Sequence, residues 1–225
     1  MIKTNFAVLM AERGLKIADV YEDTGISKTT LMALAENTGK GVQFDTVDKL
    51  CNYLGIELKD FFVYVPYIWE IYFKEDQDEE CLDFIVIKLK TKSSEKDYFL
   101  RTYAKHPLKY DFPLDDNSFS LWITIFLEQR DAYDDDDFYD FVNNLPIPMK
   151  TTFFNQIIEL LKDNILKQNR QVSVSCSSLK REIENFEKIK ETITLKKGDK
   201  IYLSFFTDTL NPKEKALESS KIITI

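Results

Sequence analysis

Residues 25–37 read G-I-S-K-T-T-L-M-A-L-A-E-N, and no other stretch restricts the fold as tightly. Gly25 follows a short amphipathic run and stands where a helix must stop. Glycine enters the left-handed backbone region without steric cost, so it is the residue for that position. Ile26 is expected to point inward, and Ser27 to cap a new helix. Helical spacing then puts Leu31 and Leu34 on a buried face and Lys28, Thr29, Met32, Ala33 and Asn37 on an open one. Two short helices around a tight glycine turn, the second with a polar leading end, form a helix-turn-helix.

The flanks support this unit. Phe6, Leu9 and Met10 recur at helical spacing over residues 6–13, with Gly14 closing the run. Residues 17–24 carry Ile17, Val20 and Tyr21 on one face. The third helix is expected over roughly 28–36. The polar stretch Thr38-Gly39-Lys40-Gly41 reads as a loop. Asp45 or Thr46 is placed to cap a fourth helix carrying Val47, Leu50, Cys51 and Leu54, which Gly55 ends. Leu58, Phe61 and Phe62 fit a short fifth helix.

The run L-M-A-E-R-G-L-K-I-A-D-V-Y-E-D-T-G-I-S-K-T-T-L-M-A-L at 9–34, with F-D-T-V-D-K-L-C-N-Y-L-G-I-E-L-K-D-F-F at 44–62, resembles the Cro/C1-type (Xre) helix-turn-helix family. The resemblance covers about residues 4–64, and the spacing, the turn glycine and the closing helix agree together. It implies an N-terminal all-α, five-helix, lambda-repressor-like domain over 1–64. It also implies a sequence-specific DNA-binding regulator of phage or bacterial type, a repressor, reading double-stranded DNA. This sequence departs from the family at two places. Ile17 stands where a phosphate-binding Gln is usual, and Tyr21 where Ala is usual.

In a major groove, residues at the leading end of the third helix meet base edges first. Lys28 suits guanine or phosphate, Thr29 and Thr30 suit phosphate or a thymine methyl, and Ala33 permits close approach. Asn37, Thr38 and Lys40 are expected against the DNA backbone, with Ser27 and Lys16 adding phosphate contacts. One helix reads only a few base pairs, so a homodimer on a palindromic operator is expected.

Past Phe62 the pattern changes to an α+β domain over 65–225, with a role in dimerisation or in binding a protein or small-molecule effector. Strands are expected over 63–73, 82–90, 98–103, 119–127, 171–176 and 220–225, with a polar turn over 74–80. Helices are expected over 134–142, 151–167 and 179–190. Residues 193–195 and 200–206 read as a hairpin around Lys197-Gly198-Asp199. The aromatic residues of 63–126 are expected mainly in the core.

Charge tempers the DNA expectation. The chain of 225 residues has a net charge of −8, and residues 1–64 hold seven basic side chains against nine acidic ones. Phosphate binding needs local positive charge, so the face must come from segregation. The same acidity favours an alternative, an inhibitor whose C-terminal domain binds a protein partner while the helix-turn-helix serves autoregulation.

Catalytic and metal chemistry find little support. Cys51, Cys81 and Cys176 show no C-x-x-C spacing, which fits a reducing cytoplasm and no zinc framework. Asp131 and Asp134–Asp137 lack the alternation and mid-loop glycine of a calcium site and read as acids opening a helix. His106 has no nucleophile or orienting acid at recognisable spacing. Ser173, Ser175, Ser177, Ser178 and Lys180 resemble a Ser/Lys self-cleaving pair only in composition, and the sequence has no Ala-Gly dipeptide to cut. No phosphate-cradling glycine loop, signal peptide or membrane-spanning run is present, so a cytoplasmic protein without cofactor or metal is expected.

Overall fold

The computed structural model describes residues 1–74, 84–107, 114, 116, 118–128, 134–175, 190–206 and 219–225. The chain divides into two compact units, one of Met1–Ile68 with Asn144–Asn155, the other of Trp69–Asn143 with Gln156–Ile225.

In the first unit, strand β1 (Ile2–Thr4) leads into α1 (Phe6–Glu12), α2 (Ile17–Thr24), α3 (Lys28–Ala35), α4 (Phe44–Leu54) and α5 (Leu58–Phe61), followed by β2 (Phe62–Tyr64). Most apolar positions at three- and four-residue spacing turn inward; Leu58 and Tyr21, expected on apolar faces, are 59% and 42% exposed, and Phe62 falls in β2 instead of the fifth helix. Phe6, Leu9, Met10, Val20, Ile26, Leu31, Leu34, Val47, Leu50, Leu54 and Phe61 form one buried cluster. Ile26, in the turn itself, is part of it. Phe61 is fully buried and lies edge-on to Phe62, with ring centroids 5.0 Å apart.

Two expectations need correction here. The segment is not all-α: β1 and β2 pair antiparallel, Ile2 opposite Tyr64 and Thr4 opposite Phe62. Strands of three residues separated by more than fifty leave no periodic signal. The fourth helix starts earlier than expected, with Gln43 as its N-cap and Asp45 inside its first turn. An acid there is favoured by the helix dipole, so Asp45 supports the end without capping it.

In the second unit, β3 (Ile68–Lys74), β4 (Phe84–Lys90), β5 (Glu95–Lys105), β6 (Phe119–Leu127), β7 (Gln171–Ser175), β8 (Lys190–Thr194), β9 (Lys200–Phe205) and β10 (Ser219–Thr224) form one mixed sheet among the described residues. Its main path runs β10-β9-β6-β5-β4-β3, and β7 joins β5 and β8. The expected strand over 63–73 divides at Pro66 into β2 and β3, because proline cannot donate to a ladder. Strand β6 sits between β9 and β5, with Phe119, Leu121, Ile123, Ile125 and Leu127 buried along one face.

The expected hairpin of 193–195 with 200–206 does not form. β8 pairs antiparallel with β7, whereas β9 runs parallel to β6 and antiparallel to β10. The turn between β8 and β9 exists, with the Asp199 carboxylate accepting from the Lys196 amide at 2.8 Å. It redirects the chain to different partners.

Helix α6 (Asp134–Asn143) opens on the aspartate run, and Asp137 meets Lys96 at 3.1 Å. Pro146 precedes α7 (Ile147–Lys167), and Pro148 occupies its first turn, where the missing N–H costs nothing. Phe154, Ile157, Ile158, Leu161 and Ile165 are buried, the stripe their spacing requires. No helix among the described residues is long and apolar enough to cross a membrane. Cys81, Asp131, Cys176, Ser177, Ser178, Lys180, the turn over 75–80 and the helix expected over 179–189 lie outside the described residues. Lys190 opens β8.

Candidate nucleic-acid interface

The α2–α3 turn is built from local bonds. Gly25 sits at φ 70°, and its N–H donates to the Tyr21 carbonyl at 2.9 Å. The Thr24 hydroxyl donates to the Val20 carbonyl at 2.6 Å and accepts from the Ile26 amide at 3.3 Å. Ser27 then caps α3: its Oγ accepts from the Thr30 N–H at 3.2 Å and lies 2.9 Å from the Thr30 hydroxyl. Ser27→Ala is expected to cost about 1 kcal/mol of stability, the usual value of such a cap, in urea unfolding followed by helical signal.

With the cap satisfied inside the protein, the leading end of α3 presents Lys28 and Thr29 to solvent. Met32 follows one turn later and is 49% exposed. Ala33, expected on the open face, is half-buried beside them, and Thr38 and Lys40 are exposed in the following loop. Helix α3 contains no acidic residue; the nearest along the chain is Glu36 at its far end. The Lys28 ammonium stands 5.0 Å from the centroid of the Tyr21 ring, a cation–π contact between α2 and α3. The unbonded N–H groups of the first turn add positive potential at the same end.

Two of the three acids of α2 serve local structure, and Glu22 is exposed. The Asp19 carboxylate accepts from the Lys16 amide at 2.8 Å, so Lys16 leads α2 with its side chain exposed. Asp23 accepts from the Tyr53 hydroxyl at 2.7 Å, which holds the Tyr53 phenol above its ordinary pKa. Burial and then Asp48 and Asp60 push the Cys51 thiol up.

Both departures from the family pattern have a structural answer. Ile17 is partly buried against the core, so the place of the phosphate-binding amide is taken by apolar packing. Tyr21 is 42% exposed, so its ring lies toward solvent under Lys28 and leaves room for the two helices.

Two of the expected contact residues are half-buried and bonded within the protein. Thr30 is half-buried, its hydroxyl beside Ser27. Asn37 was expected on the open face but is half-buried, and both polar atoms of its side chain are bonded to Thr4. The bonds join residues 33 positions apart, which no local pattern signals.

In the second unit, His106 is half-buried just after β5, and Ser173 is exposed on β7. Lys105 is the one buried charged side chain among the described residues, 4.5 Å from the Trp122 ring, and burial pushes its ammonium pKa down. No group of three or more His, Cys, Asp or Glu among the described residues is placed to hold a metal ion.

A family model described as a Cro/C1-type HTH DNA-binding domain matches residues 5–67. No curated protein and no solved structure matches the chain. The matched segment spans α1 to α5 and β2, including the α2–α3 turn and the exposed leading end of α3. Residues 5–67 thus belong to the Cro/C1-type helix-turn-helix DNA-binding domain family.

Proposed function

We propose that the protein is a transcriptional repressor that reads a DNA major groove with α3. The observation that carries this is the exposed Lys28–Thr29 pair at the leading end of an acid-free helix whose cap is already satisfied. Lys28 supplies a guanine or phosphate contact, Thr29 a phosphate or thymine-methyl contact, and Met32 and Ala33 an apolar floor. Lys16, Ser27, Thr38 and Lys40 flank them toward the backbone. The protein acts as a homodimer on a palindromic operator in the cytoplasm. It works as a regulator and not as an enzyme, repressing by occupying its site. Residues 65–225 serve dimerisation or respond to an effector.

The alternative, a protein inhibitor that uses the helix-turn-helix only for autoregulation, is favoured by an acidic α3 face. The absence of Asp and Glu from α3 argues against it.

The test is selection from a random duplex pool by the full-length protein at a stated salt concentration, because counterion release makes affinity salt-dependent. Two inverted half-sites are expected, with centres roughly 34–36 Å apart, one turn of the duplex. A pool that remains unenriched while one protein is captured stoichiometrically gives the inhibitor reading.

A further inference from the structure

Helix α3 is seated on the core by Leu31 and Leu34, both buried. The leucine stripe sets which face of α3 turns inward, but apolar burial is non-directional and tolerates small rotations and axial slips. For a helix of eight residues that tolerance matters, since each residue turns the helix by about 100°. Even a fraction of that rotation displaces Lys28 and Thr29 against a groove. Directional bonds complete the hold: the Ser27 cap at the leading end, and a second set at the end opposite Lys28.

Asn37 follows α3 with φ 56°, a left-handed conformation that Asn tolerates better than most side chains. Its Oδ1 accepts from the Thr4 N–H at 2.6 Å, and its Nδ2 donates to the Thr4 carbonyl at 3.1 Å. One side-chain amide therefore exchanges both bonds with one strand residue, as a neighbouring strand does in an antiparallel pair. Two more bonds complete the junction. The Thr4 hydroxyl donates to the Leu34 carbonyl at 2.7 Å, and the Lys3 ammonium donates to the Asn37 carbonyl at 3.2 Å. Thr4 is buried, so its backbone groups have no cheap replacement partner if Asn37 is removed. On its other side β1 is held by β2, and the Asn5 N–H bonds to the Phe61 carbonyl at 2.8 Å.

We propose that Asn37 is a positioning residue for DNA reading, acting through Thr4 to lock the rotation and axial position of α3. The inference rests on the reading of α3 as the DNA-contacting helix. The strand β1 is then a strap between the core and the trailing end of α3. Asn37 governs how α3 is presented and makes no contact with phosphate.

The test compares wild type with Asn37→Gly, Asn37→Asp and Thr4→Val in the full chain. Glycine keeps the left-handed conformation and removes both side-chain bonds. Aspartate keeps the acceptor for the Thr4 N–H and loses the donor to its carbonyl. Valine removes only the Thr4 hydroxyl. Three quantities are read: affinity for the duplex enriched by wild type, affinity for an unrelated duplex, and exchange of the Thr4 amide hydrogen, all well below the melting temperature. For Asn37→Gly, specific affinity is expected to fall on the order of tenfold, with the unrelated duplex bound as before and Thr4 exchange at least about tenfold faster. Asn37→Asp and Thr4→Val should fall between it and wild type. A merely structural role lowers stability without changing the ratio of specific to unrelated binding. Wild-type specific affinity in Asn37→Gly, or an equal loss on both duplexes, overturns the proposal. If wild type enriches no duplex, the DNA reading itself fails and this inference with it.

Discussion

Replacing Lys28 and Thr29 together by alanine is expected to weaken binding to the selected duplex on the order of 100-fold, with the fold unchanged. Each good base-directed contact is worth about 1–3 kcal/mol of discrimination, and about 1.4 kcal/mol is a factor of ten. Both side chains are exposed and lie outside the buried cluster, so their removal leaves the core intact. The lost contact between Lys28 and the Tyr21 ring costs the folded state only about 0.5–1 kcal/mol, the value of an exposed cation–π pair. Lys28→Ala alone separates two roles. If Lys28 meets phosphate, the slope of log affinity against log salt falls by about 1 and sequence preference is kept; if it meets guanine, preference at one position relaxes. Anisotropy titrations of the full chain at several salt concentrations distinguish these. A double variant with wild-type specificity removes α3 from the account.

Leu31→Ala acts by a different route, by destabilising the first unit. Leu31 is fully buried on the inner face of α3, between the exposed Thr29 and Met32. Truncating a buried leucine costs about 2–5 kcal/mol, through lost transfer energy and an unfilled cavity. A small unit has little stability in reserve, because it buries a smaller fraction of its chain than a large one. Hydrogen exchange across residues 6–61 at rising urea should show the whole segment opening at lower denaturant, with DNA binding lost in parallel. Unchanged protection would mean that α3 is held from elsewhere. Lys28 and Thr29 should alter binding with little change in stability, whereas Leu31 alters binding only through stability.

Most of the first unit was legible in the sequence because its signals are local. The glycine at position 25, the serine cap two residues later and the leucines at 31 and 34 each predict their own conformation or burial. The structure places all of them accordingly. What escaped is what spans long separations. The β1–β2 pair joins residues about sixty apart, and the Asn37–Thr4 clasp joins residues 33 apart. An exposed-looking Asn at a helix end gives no sign that both its polar atoms are occupied. In the second unit, the strand over 119–127 was visible from its alternation, but its neighbours were not. The supposed hairpin of β8 and β9 failed because strand propensity says where strands are, and pairing is decided by sheet-wide packing. Ile17 and Tyr21 were visible as departures, and their resolution needed the structure: one packs inward, the other carries Lys28.

The central claim is that the leading end of α3 is the surface that meets DNA. Amide hydrogen exchange of the full-length protein, with and without the duplex it selects, tests this most directly. Slower exchange is predicted over residues 27–33 and the loop at 38–40, with α1 and α5 unchanged. Protection confined to residues 69–143 or 156–225, with 27–33 unaffected by bound duplex, would contradict it.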